Sequence, residues 1–145
     1  MQWCKASQCI ASMHKKISAH GLAYMSRKIK TMTLHINSKE LKKEVTENLN
    51  LLLVHFKTEW NGACQILAPV YDDRANTYKD IAKFFTIDVN KNKTVVHQYG
   101  VTKIPTILFF KEGEVIDRVS GLASKSIIIS KIENALTNTN KLNNL

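Results

Sequence analysis

The feature that most constrains the fold is a continuous apolar run that ends at a short polar turn. Residues 51–56 read Leu-Leu-Leu-Val-His-Phe, and runs of this kind are typical of strands covered on both faces of a sheet. The turn that follows carries Asn61, a preferred helix N-cap residue, and Cys64 falls in the first turn of the helical segment after it. Helix starts carry unpaired N–H groups and partial positive charge, which favours ionisation of a thiol. The stretch therefore predicts a strand, a tight turn and a helix that presents a cysteine.

Strand and helix patterns alternate on both sides of this unit. The first helix, capped by Asn37 or Ser38, carries Leu41, Val45 and Leu49 on one face at i, i+4 spacing. The remaining strand patterns cover residues 33–36, 82–88, 106–111 and 115–120, and the remaining helical patterns begin near residues 63, 94 and 124. Strands that alternate with helices in this way are typical of an α/β domain.

The turn Trp60-Asn61-Gly62-Ala63-Cys64 resembles the active-site turn of the thioredoxin family, in which these positions read Trp-Cys-x-x-Cys. Further segments match the family in order and spacing: Ile87-Asp88, Tyr99-Gly100-Val101, Ile104-Pro105-Thr106, Phe110-Lys111-Glu112-Gly113-Glu114 and Gly121. The resemblance covers residues 33–135. It implies a thioredoxin-like α/β fold, with a central mixed β-sheet flanked by helices on both faces. It also implies a function in thiol–disulfide exchange and cell redox homeostasis.

The same comparison of residues identifies what this chain lacks. Asn61 stands at the position of the family's attacking cysteine, and an asparagine cannot form the thiolate that opens a substrate disulfide. Cys64 corresponds to the second, more buried cysteine, and alone it cannot complete a two-cysteine exchange. We therefore expect impaired dithiol activity and one catalytic thiol, Cys64, that forms mixed disulfides with glutathione or a protein thiol. The structural alternative makes Asn61 only a helix cap and Cys64 a small buried apolar residue.

His55 is the second candidate catalytic residue. The matching family position usually holds a buried acid that helps to deprotonate the second cysteine, so the resemblance places His55 beneath Cys64. A neutral imidazole there could take the thiol proton and leave a thiolate–imidazolium pair. The alternative is a core histidine bonded to a backbone carbonyl or to water. Lys57 stands where the family often has a second tryptophan, and Phe84 where a buried lysine often accompanies the acid, so the family's proton-handling pair is replaced.

The resemblance further implies a surface that binds extended segments of protein substrates. Pro105 matches a cis proline beside the active-site turn, although a proline at a strand entry would be sufficient explanation, and Ile104 would pair its backbone groups with a peptide by strand addition. The expected substrate-binding residues are Trp60, Asn61, Ala63, Ile104, Pro105, Gly121 and Leu122. Because this surface survives the loss of the first cysteine, a second function class stays open: a redox-silent module of thioredoxin fold that binds peptides or proteins.

Charge divides the 145-residue chain into a basic arm and a nearly neutral domain. Residues 1–39 hold seven lysines and arginines and no acid, whereas the remainder holds 14 basic and 12 acidic residues. We predict a disordered basic extension over residues 1–31, a thioredoxin-like domain over residues 32–137 and a flexible tail over residues 138–145. The arm could also follow from a misplaced start codon, serve as a transit peptide, or contact nucleic acid or an anionic membrane.

Several classes of function find no support in the sequence. The near-neutral domain does not suggest a nucleic-acid platform, and no apolar run approaches the ~20 residues that span a membrane. The histidines show no metal-ligand spacing, and no phosphate loop or dinucleotide fingerprint is present, so we expect no metal and no cofactor. The arm lacks the core of a secretory signal, and three cysteines without a framework spacing favour a reducing compartment. We therefore expect a cytoplasmic protein.

Overall fold

The computed structural model describes the backbone of residues 33–143 and the side chains of residues 33–138. The described elements are, in chain order, β1 (Leu34–His35), α1 (Ser38–Glu47), β2 (Leu51–Lys57), α2 (Gly62–Tyr78), β3 (Ala82–Asp88), α3 (Lys93–Gln98), β4 (Thr106–Lys111), β5 (Glu114–Ser120) and α4 (Lys125–Asn143). The strand limits agree with the sequence pattern to within one residue. The predicted arm over residues 1–31, with Cys4 and Cys9, lies outside the described residues, and its disorder stays a prediction.

The strands form one mixed sheet in the order β1-β3-β2-β4-β5. β1 and β2 both run parallel to β3, whereas β4 runs antiparallel to β2 and β5 runs antiparallel to β4. The β4–β5 hairpin turns at Glu112 and Gly113, whose φ angles of 51° and 86° are both positive. Positive φ at both central residues is the requirement of a two-residue turn whose twist matches that of the flanking strands.

Apolar side chains fill a core on each face of this sheet. On one face the buried helical residues come from α2 and α4, and they include Leu67, Tyr71, Ala75, Ile128 and Ile132. On the other face the buried helical residues come from α1 and α3, and they include Leu41, Val45 and Val95. Each of the large buried side chains contributes roughly 1.5–3 kcal/mol relative to an exposed one. The predicted fold, a mixed sheet with helices on both faces, is confirmed.

Strand pairing determines which loops meet at the end of β2. Phe56, near the end of β2, pairs with Thr106, the first residue of β4, because the two strands are antiparallel. Thr106 pairs on its other side with Ser120, the last residue of β5. The turn after β2, the loop before β4 and the loop after β5 therefore lie at the same edge of the sheet. These three segments, together with the start of α2, hold the predicted site residues apart from His55, which lies within β2.

Helix α1 begins as the sequence indicates and ends earlier than its apolar spacing suggests. Asn37 is the N-cap and forms a capping box with Glu40. The helix stops at Glu47, and the C-cap residue Asn48 has an extended backbone, with φ −99° and ψ 127°. Helical spacing therefore no longer applies at Leu49, which is 74% exposed rather than buried on the helix face. The prediction that Leu49 shares the apolar face of α1 was wrong.

Helix α4 continues past the predicted domain boundary at residue 137. Its backbone stays helical through Asn143, because each residue added to an existing helix gains one backbone hydrogen bond. The Thr137 hydroxyl donates to the carbonyl oxygen of Glu133 at 3.0 Å, so this polar residue is accommodated within the helix. The backbone is therefore helical beyond residue 137, and the flexibility of residues 138–145 stays a prediction.

Candidate functional site

Asn61 caps the start of α2 through its side-chain oxygen. Its backbone is extended, with φ −101° and ψ 118°, and Oδ1 accepts from the N–H of Ala63 at 2.9 Å and from the N–H of Cys64 at 3.3 Å. These are two of the N–H groups that a helix start leaves without intrahelical partners. The predicted helix cap is confirmed. The N–H groups at the positive end of α2 hold the side-chain amide of Asn61 in one orientation.

The nitrogen of the same amide makes a contact that the sequence analysis missed. Asn61 Nδ2 donates to the carbonyl oxygen of Ile104 at 3.2 Å. One side chain thus bonds the start of α2 to the loop before β4, 43 residues further along the chain. An asparagine carries both an acceptor and a donor, so the residue type allowed a second contact. The partner could not be predicted, because the position of Ile104 depends on strand pairing.

The loop before β4 is held in turn by the loop after β5. The Ile104–Pro105 peptide bond is cis, and the N–H of Gly121 donates to the Pro105 carbonyl oxygen at 2.7 Å. Gly121 has φ +82°, a conformation that strains residues with a side chain. The structure therefore connects the α2 start, the Ile104–Pro105 segment and Gly121 through hydrogen bonds.

Cys64 lies in the first turn of α2 and is almost completely covered. It is 2% exposed and is not in a disulfide. Within the described residues it is the only cysteine, so no second sulfur stands within this part of the chain to resolve a mixed disulfide. A substrate sulfur could reach this thiol only after a local displacement of the residues over it.

His55 sits in the core on β2, with 1% of its surface exposed. Burial, together with a smaller effect of the positive charge on Lys57, lowers the pKa of His55 from its usual 6.5 to about 3. Its ring centroid lies 5.0 Å from that of Tyr71, and its Nε2 atom has no hydrogen-bond partner among the described residues. His55 is thus a neutral and very weak base.

The low pKa of His55 bears on its predicted role as the proton acceptor for Cys64. A thiolate–imidazolium pair requires protonation of His55, and burial makes the protonated form costly. The predicted alternative, a histidine bonded to a backbone carbonyl, does not hold for Nε2 within the described residues. The structure therefore gives no support to proton acceptance by His55, and its catalytic role stays an untested prediction.

Tyr71 is a buried polar neighbour of His55 that the sequence analysis did not assign to the site. Its hydroxyl lies 2.8 Å from the carbonyl oxygen of Leu53 and 2.9 Å from that of Phe85, so it bonds to the backbone of both β2 and β3. Burial raises the pKa of Tyr71 well above 10, which keeps the hydroxyl protonated. A tyrosine on an apolar helix face was the available signal, because a buried phenol needs a partner.

We use the name peptide patch for the predicted binding residues other than Asn61: Trp60, Ala63, Ile104, Pro105, Gly121 and Leu122. Trp60 is 89% exposed and Leu122 is 56% exposed, whereas Pro105 is buried. The two hydrogen bonds described above bring their three loops together. Exposed large apolar side chains around a rigid centre are typical of protein-binding surfaces. Ile66, 63% exposed on the first turns of α2, adds apolar surface that the sequence analysis did not assign.

A separate crevice of about 460 Å³ lies at the carboxyl ends of the parallel strands. Three of its polar side chains accept hydrogen bonds from nearby backbone groups. Glu40 accepts from the Asn37 N–H, and the Asn92 side chain accepts from the N–H of Ser38. Asp88 accepts from the Asn90 N–H. These groups are already satisfied, so we assign the crevice no ligand.

Within residues 33–143 no cluster of three or more metal-ligating side chains occurs, and no helix is long and apolar enough to cross a membrane.

Comparison with known proteins places this geometry in a family. The thioredoxin family model matches residues 32–134. The chain belongs to the thioredoxin family. It is 36% identical over 95 residues to thioredoxin 1 of Synechococcus elongatus, an alignment that covers 66% of this chain and 89% of the relative.

Other thioredoxins show a similar relationship. A thioredoxin of Rickettsia felis is 32% identical over 105 residues, covering 72% of this chain and all of the relative. The chloroplastic M-type thioredoxin of Chlamydomonas reinhardtii is 35% identical over 101 residues, covering 70% of this chain and 72% of the relative. Family membership links the chain to thiol–disulfide chemistry on protein substrates.

Proposed function

We propose that this protein is a monothiol member of the thioredoxin family with impaired dithiol oxidoreductase activity. The observation that carries the proposal is the amide of Asn61, which caps Ala63 and Cys64 where the family's attacking cysteine would stand. A two-cysteine enzyme stores two electrons as a pair of thiols and releases them by forming a disulfide. With Asn61 in place, Cys64 has no sulfur at that position to pair with.

The remaining chemistry is a mixed-disulfide cycle that needs an external thiol. The Cys64 thiolate attacks a disulfide R–S–S–R′, forms the bond Cys64–S–S–R and releases R′–S⁻, which takes up a proton. A small thiol such as glutathione then attacks the R sulfur and regenerates Cys64, and a second small thiol reduces the resulting mixed disulfide. Two external thiols are thereby oxidised for each substrate disulfide reduced. Because Cys64 is 2% exposed, we expect this cycle to be slow.

A second candidate function is a redox-silent module that binds extended segments of protein. The specific observation in its favour is the contrast between a covered thiol and an exposed tryptophan, since Cys64 is 2% exposed and Trp60 is 89% exposed. Both candidates share one element, binding of an extended segment at the peptide patch, in which Ile104 contributes its backbone groups by strand addition.

Insulin reduction driven by dithiothreitol separates the two candidates. The comparison uses a Cys4→Ala, Cys9→Ala background, in which Cys64 is the only thiol left in the sequence, and the same background with Cys64→Ala. Turnover above the reductant alone that disappears in Cys64→Ala supports the monothiol cycle. Equal background rates in both proteins rule it out and leave the binding module.

The peptide patch is tested by Trp60→Ala against Ile81→Ala. Both residues are exposed and apolar, at 89% and 51%, but Ile81 lies outside the patch. The probe is fluorescein-labelled, S-carboxymethylated insulin B chain, an unfolded segment without free thiols. We expect at least about tenfold weaker binding for Trp60→Ala, as for a buried aromatic anchor, and unchanged binding for Ile81→Ala. Equal losses in the two variants would remove the patch from the proposal.

We also propose protein substrates and glutathione as partners, and the cytoplasm as the location. Protein substrates fit the family, and glutathione is the small thiol that the monothiol cycle would use in a reducing compartment such as the cytoplasm. Intact mass of the native protein, measured before and after treatment with reductant, would reveal a glutathione adduct. An adduct that is absent from Cys64→Ala supports this partner, and one that persists there belongs to another thiol.

A further inference from the structure

The amide of Asn61 occupies a backbone acceptor on the peptide patch, and we infer that it gates peptide binding there. The N–H of an extended peptide must either displace the Asn61 amide from the Ile104 carbonyl oxygen or share that oxygen with it, and both weaken the pairing with this segment. The inference rests on the proposed binding of extended peptide at the patch, which both candidate functions share. Nothing in the family resemblance supplies this device, because a cysteine at position 61 would carry no amide.

Ile104 is the residue whose backbone has to serve an incoming strand. Pro105 has no N–H, and its carbonyl oxygen already accepts from the Gly121 N–H at 2.7 Å. Within residues 33–143 no group accepts from the Ile104 N–H, so this donor is open to a peptide carbonyl. The Ile104 carbonyl oxygen accepts from Asn61 Nδ2 at 3.2 Å. The recognition segment therefore has one open group and one that is internally bonded.

This asymmetry predicts competition rather than simple docking. An extended strand presents both a C=O and an N–H to the residue opposite it. Its carbonyl can bond at once to the Ile104 N–H, whereas its N–H meets an oxygen that Asn61 already uses. The cost of opening is one hydrogen bond, because the Oδ1 contacts with Ala63 and Cys64 can persist. The patch is thus held in a partly closed state by its own helix cap.

Asn61→Ser tests the gate, because a serine keeps the helix cap but is too short to donate to Ile104. Asn37 provides a matched control: it is also an N-cap, its Oδ1 accepts from Lys39 and Glu40, and Asn37→Ser makes the same chemical change away from the patch. Binding is measured by fluorescence anisotropy with the S-carboxymethylated insulin B chain. We expect Asn61→Ser to bind about fivefold more tightly than the parent, the worth of one neutral hydrogen bond, and Asn37→Ser to bind like the parent.

The binding results separate the gate from the proposed peptide binding. Equal or weaker binding by Asn61→Ser, with binding by the parent intact, overturns the gate and leaves the proposed peptide binding in place. Absence of binding by the parent and every variant overturns the proposed peptide binding and the gate together. Asn61→Asp, which keeps the shape and the cap but lacks the amide donor, replaces the serine variant if that protein fails to fold.

A second experiment measures hydrogen exchange of the Asn61 side-chain amide. In ¹⁵N-labelled protein, the side-chain NH₂ of Asn61 should exchange slowly with water and should exchange faster when the peptide saturates the patch. An exchange rate that the peptide leaves unchanged would show that the Asn61–Ile104 bond survives binding, which contradicts the gate.

Discussion

The stability of Asn61 variants provides the most detailed test of how the site is built. The side chain makes two kinds of contact that different substitutions separate. Loss of a good N-cap costs about 1 kcal/mol, and loss of one net hydrogen bond, here to Ile104, costs about 1 kcal/mol more. Asn61→Ala removes both and should destabilise the domain by about 2 kcal/mol. Asn61→Ser keeps the cap and should cost about 1 kcal/mol.

Urea unfolding monitored by circular dichroism measures these differences, and Asn37→Ser and Asn37→Ala supply the matched pair. Asn37 accepts from two helix N–H groups as Asn61 does, and no long-range donor contact of its amide is present within the described residues. We therefore expect the serine variant at position 37 to match the parent to within ~0.5 kcal/mol. In a domain of this size 1 kcal/mol corresponds to a shift in Tm of roughly 4 °C.

Equal changes in unfolding free energy for Asn61→Ser and Asn37→Ser would refute this account of the Asn61 contacts. Equal stability of Asn61→Ser and the parent would mean that the contact with Ile104 contributes nothing, and the gate would then have no energetic basis. A loss of stability at Asn61→Ser as large as at Asn61→Ala would mean that serine does not cap this helix, so the two contributions could not be separated in this way.

Three further predictions concern the core and the patch. The pKa of His55 is about 3 in the folded protein and 6.5 in the unfolded chain, so between these values the unfolded chain binds one more proton. His55 should therefore cost about 2 kcal/mol of stability as the pH falls from 7 to 5. His55→Gln should flatten this pH dependence in urea unfolding, and an unchanged dependence would contradict the assignment. Tyr71→Phe should destabilise by about 1–2 kcal/mol in urea unfolding, since it removes a hydroxyl bonded to two strands, and an unchanged midpoint would contradict this role. Trp60→Ala should change stability by less than ~0.5 kcal/mol because the side chain is 89% exposed, and a larger loss would show that Trp60 packs into the fold.

The sequence predicted the layers of this fold because its strongest signals are local. The buried run of β2 and the capped starts of α1 and α2 each depend on residues close together in the chain. Leu49 was misplaced because apolar spacing does not show where a helix stops, and Asn48 ends α1 before that residue. The extent of α4 beyond residue 137 is not specified by local pattern, because helix propagation can outweigh the weak intrinsic preferences of asparagine and threonine.

The sequence predicted which residues lie near the site but not the hydrogen bonds between them. Resemblance placed Asn61 and Ile104 in one region, yet their hydrogen bond depends on the antiparallel pairing of β2 with β4, which no local pattern specifies. The weak basicity of His55 has a similar origin, since it follows from complete burial together with the charge of Lys57. Such electrostatic effects become predictable only when the packing around a titratable group is known.

The central claim is that the turn before α2 still has the geometry of a two-sulfur site and that one amide has replaced one sulfur. Asn61→Cys in the Cys4→Ala, Cys9→Ala background tests this claim most directly, by intact mass after mild oxidation with oxidised glutathione. We predict a protein two hydrogens lighter than its reduced form, because the introduced thiol and Cys64 close a disulfide. A variant that stays fully reduced, or that carries only glutathione adducts, would show that the turn does not hold the two positions together and would contradict the claim.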